Sequence, residues 1–259
     1  MSERVYVETQ NNVATVVLNR PAKLNALDLP DWVRIGELIV ELHENEAIRC
    51  VVVRGVDEKA FSAGADIAGF AQHRNTESQV RAYGAVIESC LTAIRQCRHP
   101  VIAAISGVCV GGGLELSSAC DIRICSASSR FGAPINRLGL TMSYAEAATL
   151  KDIAGTAGAL EILLGGDVFD ATRAHELGLV SRVTPDGELL ETVYSLAQRI
   201  AERAPLVNRW HKKFIRRLAD PAPLTPEEID EGFAAFDTED YRIGLEAFLE
   251  KKKPDFEGR

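Results

Sequence analysis

The sequence predicts an α/β fold built on parallel strands. Three observations carry that expectation. Cys50–Arg54 and Val101–Ile105 are continuous apolar runs, as strands buried on both faces require. Segments with helical apolar spacing alternate with these runs, the order of a parallel sheet with crossover helices. A turn of small residues, Gly111-Gly112-Gly113, joins Val101–Val110 to a helical stretch, Leu114–Cys120.

Val5–Thr9 and Val13–Leu18, separated by Gln10-Asn11-Asn12, read as a hairpin. Asp28 is placed to cap a helix reaching Asn45, with Trp32, Ile35, Leu38, Ile39 and Leu42 on one face. After the Cys50–Arg54 strand, Gly55–Asp66 reads as a loop of small residues. A long helix is expected over Glu77–Cys97, burying Val80, Tyr83, Ile87, Cys90 and Ile94, until Arg98-His99-Pro100 breaks it. Asp121–Cys125 reads as a strand and Ser128–Gly139 as a loop. Helices are expected from Ser143 and from Thr156. Asp170 caps a short helix that ends at Gly178, and Leu179–Val183 is a further strand. From Glu188 the chain reads as helical to its end, with Pro205 and the Pro221–Pro226 stretch as punctuation. There Thr225-Pro-Glu-Glu228 has the form of a capping box. Residues 1–204 then form the core, and residues 205–259 a helical region for packing on the core or on a second copy.

The chain has 259 residues, enough for a large core. A formal net charge of −8 argues against a nucleic-acid surface and against a polybasic membrane patch. An anionic ligand must therefore be held by local Lys and Arg. The six cysteines form no CxxC pair and lie in apolar contexts, so buried thiols in a reducing cytoplasm are expected rather than disulfides or a metal site. No apolar signal core opens the sequence, and Val101–Val110 is too short to span a bilayer.

Chemistry is expected at the glycine turn. Glycines between a strand and a helix let a ligand approach the backbone closely. They also leave the helix's first N–H groups unpaired, at the positive end of its dipole. Such a turn takes an anion, or an oxygen that becomes anionic in a transition state. Glu115 stands in the first turn beside it. As a purely structural residue it is an acid suited to a helix N-terminus.

These residues resemble the enoyl-CoA hydratase/isomerase (crotonase) family. The resemblance runs from Asn19-Arg20-Pro21 and Leu24-Asn25-Ala26, through Phe61–Asp66 and Gly111–Glu115 with Cys120-Asp121, to Phe131-Gly132, Gly178-Leu-Val180 and Phe248–Phe256. It implies a crotonase-like spiral of ββα turns with a C-terminal helical region, assembled as a homotrimer or a hexamer. It implies an acyl-CoA thioester substrate, with coenzyme A as part of that substrate and no tightly bound cofactor. The amides of Ala65 and Gly112 match the two that hold the thioester oxygen as it becomes an enolate. Ser62, Ala63 and Gly64 match the segment against which pantetheine lies. Lys23, Leu24, Ala26, Lys59, Asp66, Ile67, Gly111, Ile135 and Met142 match substrate-lining positions, with Phe248 and Lys251 reaching across a subunit boundary.

Glu115 matches the first of the two glutamates that hydratases use. Where they carry the second, after the proline of Phe131-Gly-Ala-Pro134, this chain has Ile135, which cannot transfer a proton. Tyr144 and Glu146, at the following helix start, are the candidates to replace it; each is otherwise a first-turn residue. The expected reaction is addition of water to an enoyl-CoA. The alternatives are a decarboxylase using Tyr144, an isomerase, or a silent acyl-CoA-binding protein. His73 is a minor candidate for the acyl pocket, and His99 reads as a helix C-terminal residue. The basic run His211–Arg217 reads as a solvated helix face.

Overall fold

Two sheets share one spiral path in the computed structural model, which describes residues 3–67 and 75–259. His73 lies outside the described residues. The hairpin strands β1 (Val5–Gln10) and β2 (Val13–Leu18) pair antiparallel. Asn11 and Asn12 turn between them with φ of 50° and 63°, a left-handed conformation that asparagine tolerates better than most residues. Helix α1 (Leu29–Glu44) follows, capped by Asp28 in a reciprocal capping box with Asp31. Its face of Trp32, Ile35, Leu38, Ile39 and Leu42 is buried as expected.

Three turns of strand, strand and helix come next. They are β3 (Cys50–Gly55), β4 (Ala60–Ser62) and α2 (Glu77–Gln96); β5 (Val101–Ile105), β6 (Val108–Val110) and α3 (Gly112–Ala119); and β7 (Ile122–Ser126), β8 (Arg130–Gly132) and α4 (Tyr144–Gly165). The chain continues through β9 (Val168–Asp170), α5 (Ala171–Glu176), β10 (Arg182–Thr184) and α6 (Leu189–Ala201). The first strand of each turn joins one sheet, ordered β1-β2-β3-β5-β7-β10, and the second joins another, ordered β4-β6-β8-β9. All pairings are parallel except β1–β2 and β8–β9. Each turn therefore repeats one advance of a spiral.

The uniform apolarity of β3 and β5 has its cause here. Val51, Val53, Val101, Ala103 and Ile105 face the main core with α1 and α2. Cys50, Val52, Ile102 and Ala104 face a second core under Leu189, Val193, Ala197 and Ala201 of α6. Both faces of the sheet are dry, as period-two alternation then requires. All six cysteines are free and buried, as expected.

The structure differs from the sequence reading at several places. Gly55–Asp66 contains β4, the glycine turn is preceded by β6, and Ser128–Gly139 contains β8 and a 3-10 turn over Pro134–Leu138. Three-residue strands are too short to show a period. Val80 is 49% exposed rather than part of the buried face of α2. Leu179 and Val180 are core residues ahead of the strand, which starts at Arg182. The helices from Ser143 and Thr156 form α4, with the chain turning at Gly155 (φ 65°, ψ 174°). His99 is 1% exposed, and burial, then Arg209 and Arg98, lower its pKa to about 4.

The C-terminal region consists of α7 (Pro205–Arg217), α8 (Pro226–Glu231) and α9 (Glu239–Glu250), and residues 252–259 are not helical. The tail returns to the core: Arg49 donates to the Phe256 carbonyl at 2.6 Å, and buried Asp240 accepts from the amides of Glu257 and Gly258. The basic run on α7 is not a solvated face. Lys212, 8% exposed, pairs with Asp121 at 2.9 Å, and Arg216 with the same carboxylate at 2.7 Å. Asp121 also accepts from the Val101 amide at 2.7 Å, so one side chain ties β5, β7 and α7 together. Removing one partner of a buried pair strands the other charge. Asp121→Ala should therefore destabilise the protein by about 3–5 kcal/mol, read by urea unfolding. A loss under about 1 kcal/mol, the worth of an exposed pair, would refute that anchoring.

Candidate active site

A cavity of about 150 Å³ opens where the second sheet meets α1, α2 and α3. It forms because two turns of backbone pack with almost nothing between them. Gly64 has φ of 91°, and a Cβ there would stand 2.8 Å from the Val110 carbonyl oxygen. A Cβ at Gly113 would stand 2.4 Å from the Ser62 carbonyl oxygen. Only glycine permits both approaches. The strand segments β4 and β6 pair in parallel and hold the turns in register.

This packing brings Ala65 and Gly112 together on the cavity wall; an ideal Cβ on Gly112 would lie 3.6 Å from the Ala65 amide nitrogen. The neighbouring amides are engaged: Leu27 donates to Gly64 at 2.8 Å, Asp66 donates to Leu27 at 2.8 Å, and Gly111 donates to Gly132 at 2.9 Å. Among the described residues, the amides of Ala65 and Gly112 make no hydrogen bond. Gly112 is the first residue of α3, where no intrahelical acceptor exists and the dipole is positive. Two unengaged donors on one cavity wall suit an oxygen that gains negative charge.

Glu115, half-buried in the first turn of α3, lines the same cavity. So do Ala63, Ile67, Gly111, Ile135 and Met142 among the residues singled out from the sequence. Ile135 belongs to the 3-10 turn and presents an alkyl wall. Glu146 also lines the cavity, but its carboxylate accepts from the Ser143 amide at 2.6 Å and closes the capping box of α4. Tyr144 is 98% exposed and is not part of the cavity wall.

The approach to the cavity is organised by Asp66. Its carboxylate accepts from Arg20 at 2.9 Å and Lys23 at 2.7 Å, and those bonds hold its pKa below the usual 3.8. Arg20 also donates to the Ala26 carbonyl and to Asp31. Leu24 has φ of 49° and accepts from the Ala63 amide at 2.9 Å, which fixes the segment facing the glycine turn. Ala26 is buried. Ser62 is fully buried, its hydroxyl accepting from the Gly64 amide, and Lys59 is exposed; neither lines the cavity. Phe248, 81% exposed, and Lys251 belong to the far end of α9 and do not reach the cavity of their own chain.

Sequence reasoning missed Trp32, Ile87, Leu138 and Leu140 as cavity residues. Trp32 and Ile87 carry an apolar helical period, which marks them as core without showing that the core has a hollow. Arg20 was legible only as part of a loop, although its link to Asp66 spans 46 residues. Burial pushes the Cys109 and Cys120 thiols up to about 12, so neither acts as a thiolate nucleophile near neutral pH. Among the described residues, no group of His, Cys, Asp and Glu is arranged to hold a metal ion.

The fold and the cavity, with two backbone amides and a carboxylate on its wall, point to one class of enzyme. The chain belongs to the enoyl-CoA hydratase/isomerase family, whose sequence profile matches residues 8–259. It is similar to a crotonyl-CoA hydratase of Syntrophomonas wolfei, 32% identical over 256 residues and covering 98% of each chain. A short-chain-enoyl-CoA hydratase of Clostridium acetobutylicum is 32% identical over 251 residues, covering 96% of this chain and 95% of its own. Among solved structures, an enoyl-CoA hydratase/carnithine racemase of Magnetospirillum magneticum superposes with a TM-score of 0.98 at 45% identity, covering 100% of this chain and 97% of the other. DspI of Pseudomonas aeruginosa superposes at 0.91 with 32% identity, covering 99% and 97%.

The glycine contact predicts a sharp contrast. Gly113→Ala must push β4 from α3 and should lower kcat/KM by about 10²-fold, the cost of a misplacement on the scale of an ångström. Gly84→Ala, in the middle of α2 with nothing within 4 Å of its Cβ, should leave activity unchanged and raise stability by up to about 1 kcal/mol. Equal activity in the two variants would rule out the close approach as a catalytic requirement.

Proposed function

We propose that this protein is an enoyl-CoA hydratase in which Glu115 carries the proton transfers. The single observation behind the reading is the pair of unpartnered amides at Ala65 and Gly112 on the same cavity wall as Glu115. The thioester oxygen of a 2-enoyl-CoA accepts from both amides. Water attacks Cβ as the Glu115 carboxylate takes a proton from it. The C=C electrons move to form the enolate, whose negative oxygen the two amides stabilise. In other enzymes, loss of one such donor raises the barrier by about 2.7–4 kcal/mol. The enolate then takes a proton at Cα, and the thioester carbonyl is restored. Glu115 returns the proton it accepted, so one carboxylate balances the reaction. Glu146 is the second carboxylate on the wall, and it serves as the acid only when its cap on Ser143 is released.

The exposed position of Tyr144 removes the residue on which the decarboxylase reading leaned. Lys23 and the Leu24–Ala26 segment guide the CoA portion past Asp66, with pantetheine against Ala63 and Gly64. Residues 1–204 act as the catalytic core and residues 205–259 as the assembly region. The exposed apolar side chains Ile215, Leu218, Phe233, Phe236, Phe248 and Leu249 are the surface that copies cover in a trimer or hexamer, with Phe248 and Lys251 brought to a neighbour's site. The buried thiols fit a reducing cytoplasm. Among the described residues, no helix is long and apolar enough to cross a membrane.

Hydration of crotonyl-CoA tests the chemistry. Glu115→Gln should lower kcat by about 10²–10⁴-fold with little change in thioester affinity, and Ile135→Glu should raise it. Unchanged turnover in Glu115→Gln would overturn the assignment. Light scattering tests assembly: a trimer or hexamer is expected, and Phe248→Asp should weaken it. A monomeric wild type at micromolar concentration would contradict this.

A further inference from the structure

We propose that the indole of Trp32 is the stop that limits the acyl chain this site accepts. The inference rests on the reading of the cavity as an acyl-CoA site and assigns its chain-length limit. Trp32 is 1% exposed and stands on α1 against the glycine turn: a Cβ at Gly112 would lie 3.1 Å from its Cζ2. An acyl chain whose thioester oxygen meets the Gly112 amide therefore starts beside this ring.

Behind the ring lies a second hollow. A groove of about 480 Å³ runs between α1 and α2, walled by the aliphatic side chains of Val33, Val40, Val86 and Ala93 and also by Glu37 and Glu41. Trp32 is the residue common to the walls of the active-site cavity and the groove. Gly36 of α1 faces Cys90 of α2 there, a Cβ on Gly36 lying 3.5 Å from the Cys90 Cα, an ordinary contact distance. The groove's aliphatic side chains suit an alkyl chain, and the indole closes the way into it.

Size sets the limit. The active-site cavity, at about 150 Å³, matches a volume that elsewhere holds benzene, so a short acyl group fills it. The indole is also a costly way to fill a core. Its Nε1 is buried without a hydrogen-bond partner among the described residues. A leucine or methionine would leave no N–H unpaired, so the shape of the ring is what this position uses.

The test compares crotonyl-, octenoyl- and dodecenoyl-CoA as substrates of the wild type, Trp32→Ala and Trp32→Leu. Affinities for butyryl-, octanoyl- and dodecanoyl-CoA are measured alongside by calorimetry. In the wild type, kcat/KM and affinity should fall from the shortest thioester to the longer ones. In the variants, the octenoyl-to-crotonyl ratio of kcat/KM should rise by about tenfold or more, the worth of burying roughly two methylenes. Adding Ala93→Phe to Trp32→Leu should refill the groove and reverse the gain, which general loosening of the core would not do. A wild type that uses dodecenoyl-CoA as well as crotonyl-CoA overturns the proposal. So do folded variants that keep the wild-type ratio. Should Trp32→Ala fail to fold, Trp32→Leu and the wild-type series decide. If no thioester is hydrated, the hydratase reading fails by itself and the affinity series decides: a shift toward octanoyl-CoA in the variants supports the stop, and its absence refutes it.

Discussion

Everything at the site depends on a contact between two stretches of backbone that carry no side chains. Gly64 faces the Val110 carbonyl, and Gly113 faces the Ser62 carbonyl, both at distances that exclude a Cβ. That contact sets the separation of Ala65 and Gly112 on the cavity wall. A hole made of amides needs no rotamer to be held in place, so its donors are already oriented when charge develops. The cost is that the turns have no packing of their own and rely on their surroundings for rigidity.

Those surroundings explain the rest of the architecture. The small sheet β4-β6-β8-β9 registers the turns, and three-residue strands suffice because β4, β6 and β8 each continue from a longer strand of the other sheet. On one side, Arg20 and Lys23 hold Asp66, the residue after Ala65. At the other end of α3, Asp121 fastens the helix exit to β5 and to α7. Two carboxylates thus fix the ends of the segments that carry the Ala65 and Gly112 amides. Lys23, moreover, is already paired with Asp66, which partly neutralises its charge in a chain with a formal net charge of −8.

Where the sequence was legible, a local rule decided the structure. Asp28, Asp170 and Thr225 each cap the helix they were expected to cap, because the capping bond closes within three residues. The buried parallel strands were legible because dryness on both faces erases alternation. What stayed hidden depends on partners distant in sequence. Asp121 and Lys212 are 91 residues apart and Lys212 reads as one more cation on a basic helix, yet it is buried. Tyr144 and Glu146 stand two positions apart at the same helix start, and only packing shows that one faces solvent and the other the cavity. The loss of the second glutamate at Ile135 was plain from the family resemblance, whereas the walls that take its place were not.

Ile135 changes the character of the site more than its proton count. With Ile87, Leu138, Leu140 and Met142 it gives the cavity that Glu115 lines an apolar wall. An apolar wall strengthens the two amide hydrogen bonds to an enolate, because less water competes for the oxygen. The same wall disfavours a second ionised carboxylate, since burying a charge without a partner is expensive. Glu146 escapes that cost by capping α4, at the price of its freedom to donate a proton. In the proposed mechanism the site therefore combines two backbone donors with Glu115 as the one working carboxylate, and hydration balances because the proton taken from water is the one delivered to Cα. Reaction then depends on how well the acyl chain is held beside Glu115. That places the control of turnover in the apolar wall, where the indole of Trp32 meets the glycine turn.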